Sequence, residues 1–465
     1  MDFSELKNAL AAQPLFAGKT WRLSPDAWTF PPELRAELDA IGDAALAFYR
    51  ALERLYLASA ADRKILRNGE LRAPWVAPLL DRGKPPRLVA HQRARALAGT
   101  LPPVIRPDLL ICEDGFALTE LDSVPGGVGL TAFLSRLYGC GEAMPALFLD
   151  AVTRGARSRG TAAVAIAVSD EAGDYRPEFD RLAADLRSRG ADVVVCRPDA
   201  LSASPEGVFL GGKKIDVLYR FFELFDLENV RDADALMDAA ERGNVVVAPP
   251  MRAFQEEKAS LALLRHPALS PFWEESLGGE NFSLLKKIVP ETWIVEPTPP
   301  GGLPASAVLL APPRDGRPVR DWSELADAPK RERDLVLKAS GFSPDAWGAR
   351  SVTVGSDASQ SEWAAALARA LDSARERDSL YVMQRFRKPA RLPHTVFDDA
   401  GTPVPAFGRV RVCPYYFVVP DSAVPARERA ALGGALCTFC PPDKKIIHGM
   451  SSAVLLPCDL RVPAA

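Results

Sequence analysis

The fold class of the chain is decided by a stretch in its middle, Ala163–Cys196, which reads AVAIAVSDEAGDYRPEFDRLAADLRSRGADVVVC. Its first six residues are apolar and predict a strand over Ala163–Val168, because strands buried on both faces form short continuous apolar runs. The mixed residues that follow predict a helix over Glu178–Arg189, and a second apolar run predicts a strand over Asp192–Cys196. A strand, a helix and a strand in this order are typical of a parallel sheet, so the stretch predicts an α/β protein.

The alternation of strands and helices continues to about His266 and favours a doubly wound sheet. Its further predicted elements are a hairpin over Val208–Leu210 and Lys213–Ile215, strands over Asp216–Phe222 and Asn244–Ala248, and helices over Ala233–Arg242 and Phe254–Leu264. A second α/β unit follows, with strands over Leu335–Lys338, Ser351–Val354 and Leu380–Arg385 and a helix over Glu362–Ala374. The segment between the two units, Pro297–Pro318, is rich in Pro, Gly and Ala and predicts a linker.

The two ends of the chain follow other patterns. Toward the N-terminus the predicted elements are a long helix over Pro32–Ala61, a hairpin over Leu109–Asp122 with an Asp-Gly-type turn at Glu113–Gly115, a glycine-rich loop over Pro125–Gly129 and a helix over Leu130–Tyr138. From Gly408 onward, short strands alternate with turns and indicate an antiparallel sheet, with one further helix over Arg427–Ala431.

The composition excludes several classes of protein. The net charge of −3 and the isoelectric point near 6.0 provide no basic surface, so we expect no nucleic-acid partner. No stretch approaches about 18 consecutive apolar residues, and the start of the chain has no apolar signal segment, so we expect a cytoplasmic protein with no membrane partner. The few cysteines are typical of reduced thiols, and the spacing of Cys437, Cys440 and His448 matches no standard zinc site, so we expect buried thiols there.

Two carboxylates end the second strand of the predicted hairpin. Glu120 and Asp122 are two residues apart in a strand, so we expect both to share one face with Phe116 and Leu118. Carboxylates at the end of an apolar face are costly to bury unless a cation neutralises them. Mg²⁺, which proteins hold with one or two carboxylates plus substrate phosphates, suits this pair. The alternative is a strand end that reaches solvent.

Cations at strand ends are candidate ligands for an anion. Lys338 ends an apolar strand before a loop that contains Gly341 and Gly348, and such an arrangement can bind phosphate oxygens; a solvated surface lysine is the alternative. Arg409 and Arg411 share one strand face, where they form either a clamp for phosphate or carboxylate or structural ion pairs.

Arg220 lies at the end of a predicted strand of the α/β unit, followed by Glu223. Open α/β sheets bind ligands at the carboxyl ends of their strands, so Arg220 is a candidate for substrate contact. An ion pair between Arg220 and Glu223 explains the pattern equally well.

Taken together, these segments resemble the ATP-grasp proteins, and specifically their circularly permuted, glutathionylspermidine-synthase-like branch. The resemblance is carried by a metal-binding strand and loop (Arg106–Gly127), a lysine segment (Glu257–Ala259), a nucleotide-binding strand (Asp334–Lys338), an adenine hinge (Tyr381–Phe386) and an arginine that faces the γ-phosphate (Arg409 or Arg411). The similarity runs in short patches from Arg106 to Pro457, and it places the metal-binding strand ahead of the other parts.

The resemblance implies an α/β (α+β) architecture of several lobes, ATP-grasp-like and circularly permuted, with a Rossmann-like pre-ATP-grasp domain. The expected divisions are an N-terminal helical segment with the metal-binding hairpin (1–160), the pre-ATP-grasp domain (161–268), the ATP-binding lobe (285–390) and an antiparallel C-terminal lobe (391–465). The hairpin is expected to complete the C-terminal lobe in space.

The resemblance also implies cofactors and a role for each candidate residue. ATP would be bound by Lys258, Lys338, Gly341, Gly348, Met383 and Gln384, Mg²⁺ by Glu120 and Asp122, the substrate by Arg220, Gly126 and Gly127, and the transferring phosphoryl group by Arg409 or Arg411. The implied reaction joins a small-molecule carboxylate to an amine through an acyl phosphate, with release of ADP. The alternatives are a catalytically inactive binding protein and a small-molecule kinase.

Overall fold

The structure is a computed structural model of the chain. It describes residues 1–157, 161–297, 319, 321–346, 348, 350–421, 423–424, 427–449 and 451–461. The predicted linker Pro297–Pro318 therefore lies, apart from Pro297, outside the described residues. In the described part of the chain, no helix has both the length and the apolar character that crossing a bilayer would need.

Helices and strands are numbered in chain order. The α-helices are α1 (Phe3–Ala11), α2 (Pro32–Ala60), α3 (Val76–Leu80), α4 (Pro86–Gln92), α5 (Val128–Leu137), α6 (Met144–Val152), α7 (Arg176–Ser188), α8 (Ala233–Glu241), α9 (Ala259–Arg265), α10 (Ser270–Ile288) and α11 (Gln360–Glu376). The strands are β1 (Trp28–Thr29), β2 (Val104–Cys112), β3 (Gly115–Asp122), β4 (Val164–Val168), β5 (Val193–Cys196), β6 (Leu201–Ser204), β7 (Gly207–Leu210), β8 (Lys213–Ile215), β9 (Val217–Phe221), β10 (Val246–Ala248), β11 (Thr292–Ile294), β12 (Leu335–Ala339), β13 (Thr353–Val354), β14 (Tyr381–Arg385), β15 (Leu392–Phe397), β16 (Pro403–Pro420), β17 (Glu428–Cys440) and β18 (Val454–Asp459).

The Ala163–Cys196 stretch forms a strand, a helix and a strand of a parallel sheet, as predicted. The order in this sheet is β10-β9-β4-β5, and all neighbouring strands are parallel. Val164 of β4 belongs to the core that contains Phe179 of α7, whereas Ala165 belongs to the core that contains Leu236 of α8. Both faces of the sheet are therefore covered, which explains why β4 is apolar at every position.

The largest sheet joins the two ends of the chain. Its strand order is β1-β18-β17-β16-β2-β3, and β15 also pairs with β16. β2 lies antiparallel to β16, with Leu110 opposite Arg411, so the β2–β3 hairpin extends a sheet built from C-terminal residues. α2 and α10 pack together on one face of this sheet, where the Phe48 and Trp273 rings stack at a centroid distance of 5.2 Å.

The predicted helix over Arg427–Ala431 is wrong. These residues lead into β17, which pairs with β16 from Glu428, opposite Pro420, to Cys440, opposite Arg409. The alanine-rich start of β17 favours a helix locally, but such preferences are weak, and pairing with β16 and β18 inside a buried sheet overrides them.

The second predicted α/β unit forms a separate four-stranded antiparallel sheet. Its strand order is β11-β14-β12-β13. α11 covers one face, where Trp363 shares a core with Leu335 and Leu337. The opposite face carries Lys338 and Gln384 and is turned toward the β2–β3 hairpin. The four-stranded sheet and the large sheet that contains β2 and β3 thus face each other across a gap.

Candidate active site

The three larger sheets meet around a cavity of about 580 Å³. Residues of β2, β3 and β16 form one wall, residues of β12, β13 and β14 form the opposite wall, and the segments after β4 and β9 close one end. Those segments follow the carboxyl ends of parallel strands, where open α/β sheets bind ligands. The volume lies in the range of about 300–1,000 Å³ that is typical of small-molecule sites, so this cavity is the candidate active site.

Glu120 and Asp122 line the cavity, but not on the strand face that their spacing predicts. Asp108 of β2 lies opposite Glu120 of β3, but the next residue, Leu109, lies opposite Leu118. Thr119 is therefore an extra residue in β3 and forms a β-bulge. Such a bulge reverses the alternation of side chains. Phe116 and Leu118 face the core under α2, while the two carboxylates share the opposite face. The prediction that all four side chains share one face is therefore wrong.

Each of the two carboxylates has a cation as its partner. Lys258 Nζ lies 2.7 Å from Glu120 Oε1, and Arg106 Nη2 lies 2.9 Å from Asp122 Oδ2. Burial raises the pKa of Asp122, and Arg106 only partly opposes this shift. Both carboxylates on this wall therefore already have a positively charged partner.

Mg²⁺ fits this wall as an ion shared with a phosphate, not as an ion held by protein alone. The side chains of Glu120 and Asp122 are 35% and 28% exposed, so both offer oxygen donors to the cavity. The described residues contain no group of three or more His, Cys, Asp or Glu side chains that could hold a metal ion. Mg²⁺ commonly binds one or two carboxylates and completes its octahedral shell with phosphate and water oxygens.

Lys338 lies between the two walls. Its Nζ donates hydrogen bonds to Thr119 O at 2.7 Å and to Gln384 Oε1 at 3.2 Å. Among the described residues, no carboxylate forms an ion pair with it. Burial lowers the pKa of Lys338 to about 8; Glu120 opposes this shift and Lys258 adds to it. A buried amine with only neutral partners is well placed to bind an anion.

The loop after β12 lies over Lys258. Lys258 Nζ donates hydrogen bonds to Ser340 O at 3.2 Å and to Ala346 O at 2.7 Å. Gly341 and Gly348 of this loop line the cavity. The structure thus brings the two predicted lysines and the two predicted glycines to one site.

Arg411 and Arg409 are separated in the structure. Arg411 lines the cavity, and its Nη1 lies 2.9 Å from Asp108 Oδ2. Arg409 is buried outside the cavity, where its guanidinium donates to Pro442 O at 2.8 Å and to Pro389 O at 3.0 Å. Arg411 is therefore the arginine of this pair that can meet a ligand.

Sequence reasoning gave no role to the individual residues Arg106 and Asp108. Both line the cavity from β2, directly opposite Asp122 and Glu120 of β3. The signal for them is their two-residue spacing, which places both on the strand face that the carboxylates share.

Met383 and Gln384 are neighbours in β14 and point to opposite sides of the sheet. Gln384 lines the cavity, and its Nε2 donates to Thr292 Oγ1 at 3.0 Å. Met383 is buried in the core that contains Trp363 of α11. Only Gln384 of this predicted pair presents its side chain to a ligand.

Arg220 lies behind the cavity wall and is completely buried. It forms an ion pair with Glu256, and its Nη1 donates to Phe222 O at 2.6 Å. The ion pair with Glu223, which was the alternative to substrate contact, is not formed, and Arg220 does not line the cavity. Instead Glu223 lines the cavity, where its carboxylate has no hydrogen bond or ion pair with the described residues. Burial, reinforced by Glu256, raises the pKa of Glu223 to about 8.

The glycine-rich loop after β3 is tied to the same wall. Gly126 lines the cavity, and its carbonyl accepts hydrogen bonds from Arg106 Nη1 at 3.1 Å and from Tyr415 OH at 2.8 Å. Gly127 precedes α5, and its N–H donates to Glu178 Oε1 at 2.6 Å. Glu178 Oε2 also accepts a hydrogen bond from the Leu130 N–H at 3.3 Å, so Glu178 already caps the start of α5, and this helix end is not a free anion site.

Cys437 and Cys440 are not among the residues that line the cavity. Cys437 and Cys440 are buried free thiols, as predicted, and burial raises the pKa of each. Burial disfavours the thiolate, the form that binds metals and attacks electrophiles, and a structural role for the two thiols stays a prediction.

Comparison with known proteins bears on the fold. No protein-family profile matches the chain, and no curated protein matches its sequence. Among solved structures, a glutathione synthetase-like effector from Globodera pallida, in its apo form, is similar over 99% of this chain and 96% of that chain, with a TM-score of 0.56 and 13% sequence identity. The similarity shows that the chain has a mixed α/β, ATP-grasp-like fold with several sheets, and the predicted fold class is confirmed.

Two further solved structures are more distant. A putative γ-glutamylcysteine synthetase from Methylobacillus flagellatus is similar over 82% of this chain and 85% of that chain, with a TM-score of 0.43 and 12% identity. D-alanyl-alanine synthetase A from Vibrio cholerae is similar over 64% of this chain and 88% of that chain, with a TM-score of 0.27 and 9% identity. The fold assignment rests on the effector structure, and the circular permutation stays a prediction.

Proposed function

We propose that the chain is an ATP-dependent ligase that joins a small-molecule carboxylate to an amine and releases ADP and phosphate. One observation carries the proposal. Buried Lys338, which has no carboxylate partner among the described residues, faces a small-molecule cavity whose other wall carries Glu120 and Asp122. A cation and a pair of carboxylates on opposite walls suit a polyphosphate with its metal ion. The fold-level similarity to a glutathione synthetase-like effector supports this reaction class by analogy.

In this proposal the phosphates of ATP lie between the two walls. Lys338 and Lys258 bind phosphate oxygens, and Arg411 stabilises the phosphoryl group during transfer. Glu120 and Asp122 are the residues that would hold Mg²⁺, which neutralises charge on phosphate oxygens when it is bound. Because phosphoryl transfer requires little covalent participation by the protein, these residues act by positioning the reactants and by stabilising charge.

The reaction proceeds through an acyl phosphate. An oxygen of the substrate carboxylate attacks the γ-phosphorus, and the bond from phosphorus to the ADP oxygen breaks. The amine then attacks the acyl carbon, inorganic phosphate leaves with the electrons of the broken C–O bond, and the proton lost by the amine nitrogen passes to the departing phosphate or to water. Glu223 supports an amine as the second substrate, because its carboxyl group faces the cavity without a cationic partner among the described residues. An ammonium group bound beside it would favour its charged form.

The proposal extends to the order of the chain. The β2–β3 hairpin precedes the other site segments in sequence and pairs with the C-terminal β16 in space. This arrangement supports circular permutation within the ATP-grasp fold. The divisions at 1–160, 161–268, 285–390 and 391–465 are part of the same proposal.

A screen for ADP release tests the proposed function. The purified protein is incubated with Mg²⁺ and ATP against amino acids, small peptides and polyamines, singly and in pairs. A ligase releases ADP and free phosphate and forms an amide only when an acid and an amine are both present. A phosphorylated product without free phosphate would identify a kinase, and nucleotide binding without ADP in any combination would identify an inactive binding protein.

Nucleotide binding should weaken as the pH rises above about 8. The pKa of Lys338 is about 8 in the free protein, and phosphate oxygens favour its charged form, so bound nucleotide raises this pKa. Above pH 8 the lysine must take up a proton on binding, and the dissociation constant should rise by up to about tenfold per pH unit. Below the pKa the lysine is already charged, and the constant should be flat.

Calorimetry with Mg²⁺ and a non-hydrolysable ATP analogue, between about pH 6 and pH 10, measures this dependence. The control is Lys338→Met, which keeps the length of the side chain and should bind weakly with a smaller rise above pH 8, because Glu223, whose pKa is also about 8, still ionises in the same cavity. A dissociation constant that stays level in the wild type would place the titrating group outside the nucleotide site.

A further inference from the structure

The turn between α3 and α4 contacts the proposed nucleotide site on the side away from the cavity. Lys84, in the turn between α3 and α4, places its Nζ 2.5 Å from Glu257 Oε1, and the two side chains are 0% and 2% exposed. In the same turn, Arg82 Nη1 lies 2.5 Å from Glu296 Oε1, just after β11, in a second enclosed ion pair. The turn therefore contacts both the segment that carries Lys258 and the sheet that carries Lys338.

Glu257 connects Lys84 to the loop over the cavity. Its second carboxylate oxygen, Oε2, accepts a hydrogen bond from Ser340 Oγ. Ser340 Oγ accepts one from the Ala259 N–H at 2.8 Å, and Ser340 O accepts two from Lys258, from its N–H at 3.1 Å and from its Nζ at 3.2 Å. A continuous path of polar contacts thus runs from Lys84 to the backbone and side chain of Lys258.

The loop after β12 also packs closely against the Lys84–Glu257 ion pair. A Cβ atom at Gly341 would lie 2.8 Å from Glu257 Cδ, so a larger residue at this position would displace the carboxylate. The ring centroid of Phe342, the next residue, lies 5.2 Å from Lys84 Nζ, within the range of a cation–π contact. Gly341 and Phe342 both line the cavity. The two members of the ion pair therefore each contact a residue of the cavity wall.

Stability alone does not explain an ion pair in this place. The cost of removing two charges from water offsets most of their attraction, and apolar residues of similar volume often stabilise a fold equally well. The geometry that the charges impose on their neighbours is the better explanation. We propose that Lys84 and Glu257 are positioning residues of the nucleotide site, which set Lys258 and the Ser340–Ser343 loop for phosphate binding. This inference rests on the proposed ATP-binding function.

The test is a double variant, Lys84→Met with Glu257→Gln, which removes both charges and keeps the side-chain volumes. Calorimetry measures binding of a non-hydrolysable ATP analogue with Mg²⁺, and thermal unfolding measures stability. In metal sites, partners that orient the metal-binding side chains are commonly worth about 10- to 100-fold in affinity. We expect a loss of about tenfold or more in nucleotide affinity, with a melting temperature close to that of the wild type.

Arg87→Gln is the matched control. Arg87 is also in the N-terminal region and forms ion pairs with the α/β unit, to Asp238 at 2.6 Å and to Glu241 at 2.8 Å, but it does not line the cavity. Its loss should leave nucleotide affinity unchanged. Ser340→Ala is a second probe, because it removes the link between Glu257 and the loop and leaves the ion pair intact. It should weaken binding in a stable protein.

The possible outcomes distinguish a failure of the proposed ATP-binding function from a failure of the positioning role. A wild-type protein that binds no nucleotide refutes both the proposed function and this inference. A wild type that binds, with unchanged affinity in the double variant, overturns the inference alone and leaves the ion pair a structural feature. If the double variant does not fold, unchanged affinity in Ser340→Ala overturns the inference in the same way.

Discussion

Glu120→Gln should reduce ADP formation to background while the protein stays folded. The substitution keeps the size of the side chain and removes the negative charge that faces the cavity. It removes one of the two carboxylates proposed to hold Mg²⁺, and it removes the carboxylate that lies 2.7 Å from Lys258 Nζ. Both losses affect the charge around the phosphates, and phosphoryl transfer depends almost entirely on positioning and charge stabilisation. The expected effect on turnover is therefore the largest of any single substitution considered for this chain.

Two measurements check this expectation. ADP formation is followed with the acid and amine that the substrate screen identifies, and calorimetry compares binding of Mg²⁺ with a non-hydrolysable ATP analogue. Glu37→Gln is the matched control, because Glu37 also pairs with a lysine, Lys287 at 2.5 Å, but does not line the cavity. If Glu120→Gln and Asp122→Asn both retain wild-type metal binding and turnover, the metal site lies elsewhere.

Lys338→Ala should weaken nucleotide binding roughly 10- to 150-fold. Its ammonium has only neutral hydrogen-bond partners, Thr119 O and Gln384 Oε1, so a phosphate would be its charged partner. A charge-assisted hydrogen bond is typically worth about 1.5–3 kcal/mol, and this range converts to the stated loss of affinity. Lys338→Arg should recover only part of the binding, because a planar guanidinium does not replace a compact ammonium in a buried site.

Lys330→Ala is the control for this series. Lys330 is exposed and donates to Asp357 O at 3.3 Å, so its loss should leave nucleotide affinity unchanged. Affinity for the ATP analogue is measured by calorimetry for Lys338→Ala, Lys338→Arg and Lys330→Ala at pH 7. Equal binding by the two alanine variants would mean that nucleotide binds away from Lys338, and the similarity to ligases would then be one of fold alone.

Most elements with a strong local signal were determined by the sequence by itself. The continuous apolar run of β4 and the apolar residues at three- and four-residue steps in α2 are patterns formed by neighbouring residues. The structure has both elements close to the predicted bounds. The helix over Arg427–Ala431 failed because its alanines favour helix only weakly. The partner strands that convert this segment into β17 lie elsewhere in the chain.

The same distinction between local pattern and long-range contacts applies to the candidate site. The sequence by itself determined that Glu120, Asp122 and Lys338 lie at or near the ends of their strands, because strand ends follow from local pattern. The tertiary structure decided which face the carboxylates share, through the bulge at Thr119. It also decided the partner of Arg220, which is Glu256 rather than Glu223.

The role of Lys84 is the clearest case of what only the tertiary structure decided. Lys84 and Glu257 are 173 positions apart, and no local pattern around either residue indicates the other. Their contact follows from how the N-terminal turn, the α/β unit and the four-stranded sheet pack together. Helix and strand periodicity is encoded by neighbouring residues, whereas register, ion-pair partners and burial depend on contacts between distant parts of the chain.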